Sequence, residues 1–340
     1  MKIIRQIHLL LGAIFILAIS HVDAQVTSDS SAEIIEYKSL EEALNNPHMV
    51  YKLNLSNQSS LVLSDDIWSK FPNLEYLSLK NVGLDEVPYG IGGIKTLTVL
   101  DLSGNNFTVL PESFSGLENL REIYLNDEEA MDANQSLVTI KDLPNLTILH
   151  LENDNLENLP PALSSFTKLK GLYLDSNRFS TLSDNIWNNF QNLEYLSLKD
   201  DHLNEIPSGI GNLSNLRVLD LSGNDFKVLP QSFSQLKNLR EIYLNEETEM
   251  DVDQSLSAIK DLPNLRVLHL ENDNLESIPR SLMNLTQLEA IYLNKNNFNS
   301  IPIELKELNN LNYIDLHDNA INLKIQERQI RDNFGIKIRI

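Results

Sequence analysis

Leucine, or a close relative, recurs along this chain at relative positions 1, 4, 6 and 11 of a repeating unit, often with Asn or Asp at position 9. Leu97, Leu100, Leu102, Asn105 and Phe107 form one clear copy, and Leu169, Leu172, Leu174, Asn177 and Phe179 another. A third is Leu216, Leu219, Leu221, Asn224 and Phe226, and others open at Leu74, Leu120, Leu146, Leu193, Leu239, Leu265, Leu288 and Leu311. With a degenerate copy at Val50 there are 12 units, spaced 23 or 24 residues apart except for two of 26. Strand side chains alternate between two faces, so positions 4 and 6 share one face of a short strand while positions 3, 5 and 7 share the other. The remaining leucines turn inward from the return path. Each unit therefore predicts one coil with an apolar interior and a strand on one side. A single coil buries too little apolar surface to offset the ordering of its backbone. Stacking supplies the rest, through shared burial and strand-to-strand hydrogen bonds.

Position 9 has its own role. An inward Asn there pairs with turn backbone groups that would otherwise be unsatisfied. Asp154, Asp201 and Asp273 replace it, and Val82 departs from it altogether, which leaves the register intact but local regularity open. A larger repeat lies above the small one: residues 74–169 align without a gap to 193–288, with 63 of 96 positions identical. Both 26-residue units fall at equivalent places in this duplication, and their outer segments, 131–141 and 250–260, predict short helices. Leu137 and Ile140 face inward in the first, Leu256 and Ile259 in the second.

The ends must cover an exposed interior. Ser39-Leu-Glu-Glu42 reads as a capping box opening a helix to Leu44, stopped by Asn-Asn-Pro47. Lys324 to Phe334 predicts a helix closed by Gly335, and Ile336 to Ile340 alternates like a final strand. The expected organisation is an export signal over 1–24, an unstructured segment over 25–33 and a helical cap over 34–49. The repeat array follows over 50–322, then a helix–strand cap over 323–340.

The leucine pattern resembles the leucine-rich-repeat signature. Seven units continue with Val, Leu or Ile followed by proline, at Pro88, Pro111, Pro160, Pro207, Pro230, Pro279 and Pro302. That resembles the Pro-containing class of about 23 residues found in exported bacterial proteins and in Ras-pathway scaffolds. The resemblance implies an α/β fold, a leucine-rich-repeat solenoid. Its parallel sheet would line the concave face of a curved right-handed coil, with short helices or irregular turns on the convex face. It also implies protein–protein interaction, with the partner held on the concave side.

Composition changes this picture in two ways. Lys2 and Arg5 followed by an apolar Ile7–Ile19 and by Val22-Asp23-Ala24 read as a cleavable export signal. The stretch is shorter than the ~20 residues of a spanning helix. An exported protein without cysteine, as here, rests on packing alone. The expected location is secreted, periplasmic or on the cell surface, and the resemblance implies a bacterial source, since extracellular animal and plant members of the family usually carry cysteine-bearing caps. The formal charge is −21, and −22 once Lys2, Arg5 and Asp23 are removed. Such a field disfavours nucleic acid and favours cationic partners, although acid also keeps a long surface soluble.

Candidate binding residues come from position 5, on the outward side of the strands. Its column contains Asp101, Tyr124, His150, Tyr173 and, again, Asp220, Tyr243, His269, Tyr292. Glu122, Asn126, Glu152 and Asp175 lie beside the first set, and Glu241, Asn245, Glu271 and Asn294 beside the second. Bare aromatics are what binding hot spots are made of, and acids favour basic groups. The two patches should sit roughly 24 Å apart, five strands at ~4.8 Å each. Tyr is equally a good strand residue, and neighbouring rings on parallel strands stabilise one another without a ligand. His150-Leu-Glu152 and His269-Leu-Glu271 each resemble half a metal site without a third ligand. Neither a dedicated calcium loop, nor a Ser-His-Asp motif, nor a phosphate loop appears. The expected function is a non-catalytic protein-binding scaffold, monomeric and without a cofactor. A carbohydrate-binding protein is the alternative, and a metal-assisted hydrolase using the His/Glu pairs a third.

Overall fold

The computed structural model describes residues 35–59, 61–321 and 336–340. The export signal, the segment over 25–33 and the helix read over 324–334 lie outside the described residues.

Each unit contributes one three-residue strand, at positions 3 to 5. In chain order these are β2 (Lys52–Asn54), β3 (Tyr76–Ser78), β4 (Val99–Asp101), β5 (Glu122–Tyr124), β6 (Ile148–His150) and β7 (Gly171–Tyr173). There follow β8 (Tyr195–Ser197), β9 (Val218–Asp220), β10 (Glu241–Tyr243), β11 (Val267–His269), β12 (Ala290–Tyr292) and β13 (Tyr313–Asp315). Two further strands close the ends, β1 (Glu36–Tyr37) and β14 (Lys337–Arg339). Among the described residues all 14 join one parallel sheet in simple chain order. Residues pair position for position, so Tyr124, His150 and Tyr173 lie side by side. These are the stacked coils that the spacing predicts, in the α/β solenoid architecture that the resemblance implies.

The interior is made of the periodic apolar residues. Leu97, Leu100, Leu102 and Phe107 are fully buried, as are their equivalents Leu216, Leu219, Leu221 and Phe226. On the return path, 3-10 turns replace long helices. All seven prolines of the Val/Leu/Ile-Pro steps sit at the N-cap of such a turn. Proline suits that place because its ring pre-sets φ and it has no N–H to leave unpaired. The 26-residue units carry true helices at Ala133–Ile140 and Val252–Ile259, capped by Asp132 and Asp251. Leu137, Ile140, Leu256 and Ile259 face inward as the spacing requires. Near the start, Ser39 caps Leu40–Asn45 by accepting from the Glu42 N–H at 3.3 Å.

Position 8 is left-handed in all 12 units, with φ between 55° and 70°. Only Gly104 and Gly223 fill it with the residue that adopts this region freely; Asn, Asp, Ser, Glu and Lys take it elsewhere. The bend turns the chain out of the strand and aims position 9 into the interior.

Candidate interaction face on the sheet

Positions 3, 5 and 7 form the outer face of the sheet. Parallel, in-register pairing puts like positions ~4.8 Å apart, close to the stacking distance of aromatic rings. Tyr124, His150 and Tyr173 use that coincidence. Tyr124 and His150 stack with centroids 3.9 Å apart and planes 13° apart, and His150 and Tyr173 at 4.1 Å and 12°. The second copy repeats it, with Tyr243 and His269 at 3.9 Å and 13°, and His269 and Tyr292 at 4.3 Å and 6°.

Each stack has a fourth ring that the column of position 5 does not contain. Tyr195, at position 3 of β8, stacks on Tyr173 at 4.6 Å, and Tyr313 of β13 meets Tyr292 at 5.4 Å with a 52° tilt. The rings of Tyr173 and Tyr292 lean across the strand toward position 3. Gly171, with no side chain, lies under the Tyr173 ring, where a Cβ would come within 3.3 Å of it. Tyrosine at position 3 directly after a position-5 tyrosine was the available signal.

The histidines are not bare, contrary to the expectation for His150 and His269. Both are 6% exposed, and Tyr292 is 7% exposed. Two neighbouring rings cover the imidazole faces and two carboxylates its edges. His150 Nε2 lies 3.2 Å from Glu122 Oε1, and Nδ1 lies 3.3 Å from Glu152 Oε1. For His269 the partners are Glu241 at 3.0 Å and Glu271 at 3.2 Å. Both nitrogens can donate only in the imidazolium. Burial opposes that charge, but the two hydrogen-bonded glutamates outweigh it, raising both histidines, His269 to about 9. Tyr124 and Tyr243 donate their hydroxyls to the same Glu122 and Glu241 oxygens at 2.6 Å. Burial works against the Glu122 charge, and hydrogen bonds from His150 and Tyr124 overcome it and hold the carboxyl below its ordinary range. An imidazolium clamped between two carboxylates has no lone pair for a metal. Among the described residues no group of three or more His, Cys, Asp or Glu is arranged to hold one.

The remaining predicted residues edge these stacks. Tyr124, Tyr173, Tyr243, Glu122, Glu152, Glu241 and Glu271 are half-buried, and the Oε2 atoms of Glu152 and Glu271 are closed in. Asp101 and Asp220, also half-buried, are tied down locally, accepting from the N–H of Ser103 at 3.0 Å and of Ser222 at 2.9 Å. Asp175 stands beside Tyr173 and accepts from the Lys199 N–H at 3.0 Å. Burial pushes its carboxyl up to about 7.

One family profile, described as a leucine-rich repeat region, matches residues 156–257, and a second, described as leucine rich repeat, matches 88–129 and 263–321. The chain is a leucine-rich-repeat protein. No curated protein matches its sequence. Among solved structures, a leucine-rich-repeat protein of Leptospira interrogans shares 24% identity at a TM-score of 0.53, over 90% of this chain and 100% of its own. An internalin from Listeria monocytogenes shares 21% at a TM-score of 0.60, over 88% of this chain and 92% of its own. A chain of the Toll–Spätzle complex of Drosophila shares 20% at 0.57, over 81% of this chain but 42% of its own length. These likenesses concern the fold. Among the described residues no helix is long and apolar enough to cross a membrane.

Proposed function

We propose that this leucine-rich-repeat protein is an exported, non-catalytic scaffold that holds a basic segment of a protein partner against the outer face of its sheet. The observation that carries this reading is the pair of equivalent ring stacks, each edged by glutamates, five strands apart on one rigid support. Half-buried tyrosines offer contact area at little cost in side-chain entropy, and the acids orient positive groups. The export reading rests on residues 1–24, and the preference for a protein partner agrees with the repeat family. Sheet geometry weighs against a glycan. Sugars pack on open ring faces, whereas His150 and Tyr173 each have neighbouring rings on both faces. The acid–base groups are spent on one another, which weighs against a hydrolase.

Photocrosslinkers placed at the half-buried Asp175 and Asn245 on the sheet face, and at the exposed Val138 on the Ala133–Ile140 helix, test the reading on cells. A partner is expected from the two sheet positions, with yield falling as salt is raised. Equal capture from Val138, or glycan binding without any protein captured, would overturn it. Binding should also respond to pH through Asp175, whose carboxyl is mostly protonated at pH 6 and mostly charged at pH 8. Affinity for a basic partner should rise roughly two- to fivefold across that interval, the range of an exposed ion pair. Asp175→Asn should lose that rise in a binding titration at the two pH values.

A further inference from the structure

One hydrogen-bonded ladder runs through the interior, built from the position-9 side chains. The Asn105 N–H donates to Glu128 Oε1 at 2.6 Å, the Glu128 N–H to Asp154 Oδ1 at 2.9 Å and the Asp154 N–H to Asn177 Oδ1 at 3.1 Å. It continues from the Asn177 N–H to Asp201 Oδ1 at 2.7 Å, and from the Asp201 N–H to Asn224 Oδ1 at 3.3 Å. The Asn224 N–H then reaches Glu247 Oε1 at 2.7 Å, the Glu247 N–H reaches Asp273 Oδ1 at 2.8 Å, and the Asp273 N–H reaches Asn296 Oδ1 at 3.0 Å. No unit is skipped. The local regularity left open by Asp154, Asp201 and Asp273 is therefore kept, and Glu128 and Glu247 serve as rungs in the long units.

Asparagine rungs do two things at once. The oxygen accepts from the preceding coil, while the amide nitrogen donates to two leucine carbonyls. Asn177 Nδ2 donates to Leu151 at 2.8 Å and Leu174 at 2.6 Å, and Asn224 Nδ2 to Leu198 at 2.8 Å and Leu221 at 2.7 Å. At the acid rungs the accepting oxygen is in place. The second oxygen of Glu128, Asp154, Asp201, Glu247 and Asp273 is buried without a hydrogen-bond partner among the described residues. By repeat position that atom of the three aspartates corresponds to the amide nitrogen of the asparagine rungs, whose partners are the two leucine carbonyls. A carboxylate there meets lone pairs with a negative charge. A carboxylic acid donates, as the amide does.

We propose that Glu128, Asp154, Asp201, Glu247 and Asp273 are neutral carboxylic acids in the folded protein, so that the ladder is a proton-dependent fastening, tight in acid and loosened as pH rises. The charged groups facing them agree. Asp127 faces Glu128, and Glu128, Glu152 and Asp127 face Asp154. Asp175 and Asp200 face Asp201; Asp273, Asp225 and Asp200 face Glu247; Glu271 and Glu246 face Asp273. All are acids. Burial, foremost, raises Glu128, Asp154, Asp201 and Asp273 to about 8 and Glu247 to about 9. Between the ordinary carboxylate range and those values the folded chain binds more protons than the unfolded one. Stability is therefore complete below that range and falls as pH rises through about 8 to 9.

The triple variant Asp154→Asn, Asp201→Asn, Asp273→Asn supplies the donor at every pH. The wild-type melting temperature should fall from pH 5 to pH 9. The triple variant should flatten that fall and stand roughly 5 °C or more above wild type at pH 8.5. Asp85→Asn, Asp142→Asn, Asp261→Asn removes the same number of carboxyls at exposed sites outside the ladder and should keep the wild-type slope. Infrared spectra of the wild type at pH 7 should show the carbonyl band of protonated carboxyls, and this reading needs no variant to fold. Absence of that band, or a triple variant with the same slope as the exposed control, would overturn the proposal.

Discussion

Replacing His269 with alanine should lower the unfolding free energy by about 3 kcal/mol, the scale for removing one partner of a buried ion pair. The ring is 6% exposed, and both of its nitrogens face carboxylates. Its loss leaves the half-buried Glu241 and Glu271 without their shared cation and opens a gap between the rings of Tyr243 and Tyr292. Adding Glu241→Gln and Glu271→Gln removes the stranded charges and should restore part of the deficit, a coupling that urea denaturation of the variants would measure. The sign with pH is fixed by the raised pKa: the contribution is complete below the ordinary histidine value and fades as pH rises through about 9. Wild type and variant should therefore converge in alkali. A His269→Ala protein with an unchanged denaturation midpoint but lost partner binding would make this ring a ligand contact and reject the structural role.

The Asn177→Ala substitution should cost about 4 kcal/mol. Asn177 Oδ1 accepts from the N–H groups of Asp154 and Leu156, and its Nδ2 donates to the carbonyls of Leu151 and Leu174. The residue is buried, and alanine strands all four backbone groups, each at ~1–3 kcal/mol before relaxation or water entry. Because each coil is held mainly by its neighbours, the damage should be local at first. Hydrogen exchange should show residues 151–177 opening ahead of the rest, and uniform protection across the array would contradict this.

Much of this molecule was legible in one dimension because its contacts are periodic. Leu100, Leu102 and their equivalents mark strands, since a repeat that stacks on itself makes every coil face the same surroundings. Helices over 131–141 and 250–260 could be placed on local spacing, as could the Ser39 cap, while Asp132 and Asp251 emerge as caps only in the structure. The stacks were half legible. Tyr124, His150 and Tyr173 stood in one column, but Tyr195 joins from another column, and nothing in the column tells that the imidazole would be closed in by Glu122 and Glu152. Glu128 and Glu247 gave no local hint of a role, for a glutamate in a long unit looks like any surface acid until its Oε1 is found on the Asn105 or Asn224 N–H.

What the residue order determined alone is the coil, its length, its duplication and which side chains go inside, because these follow from apolar spacing and strand alternation. Exposure and charge state were decided only in three dimensions. Whether His150 is bare or enclosed, and whether Asp154 is an anion or an acid, depends on what the adjacent coils bring within 3 to 4 Å. Desolvation and pairing act through that space and have no period along the chain.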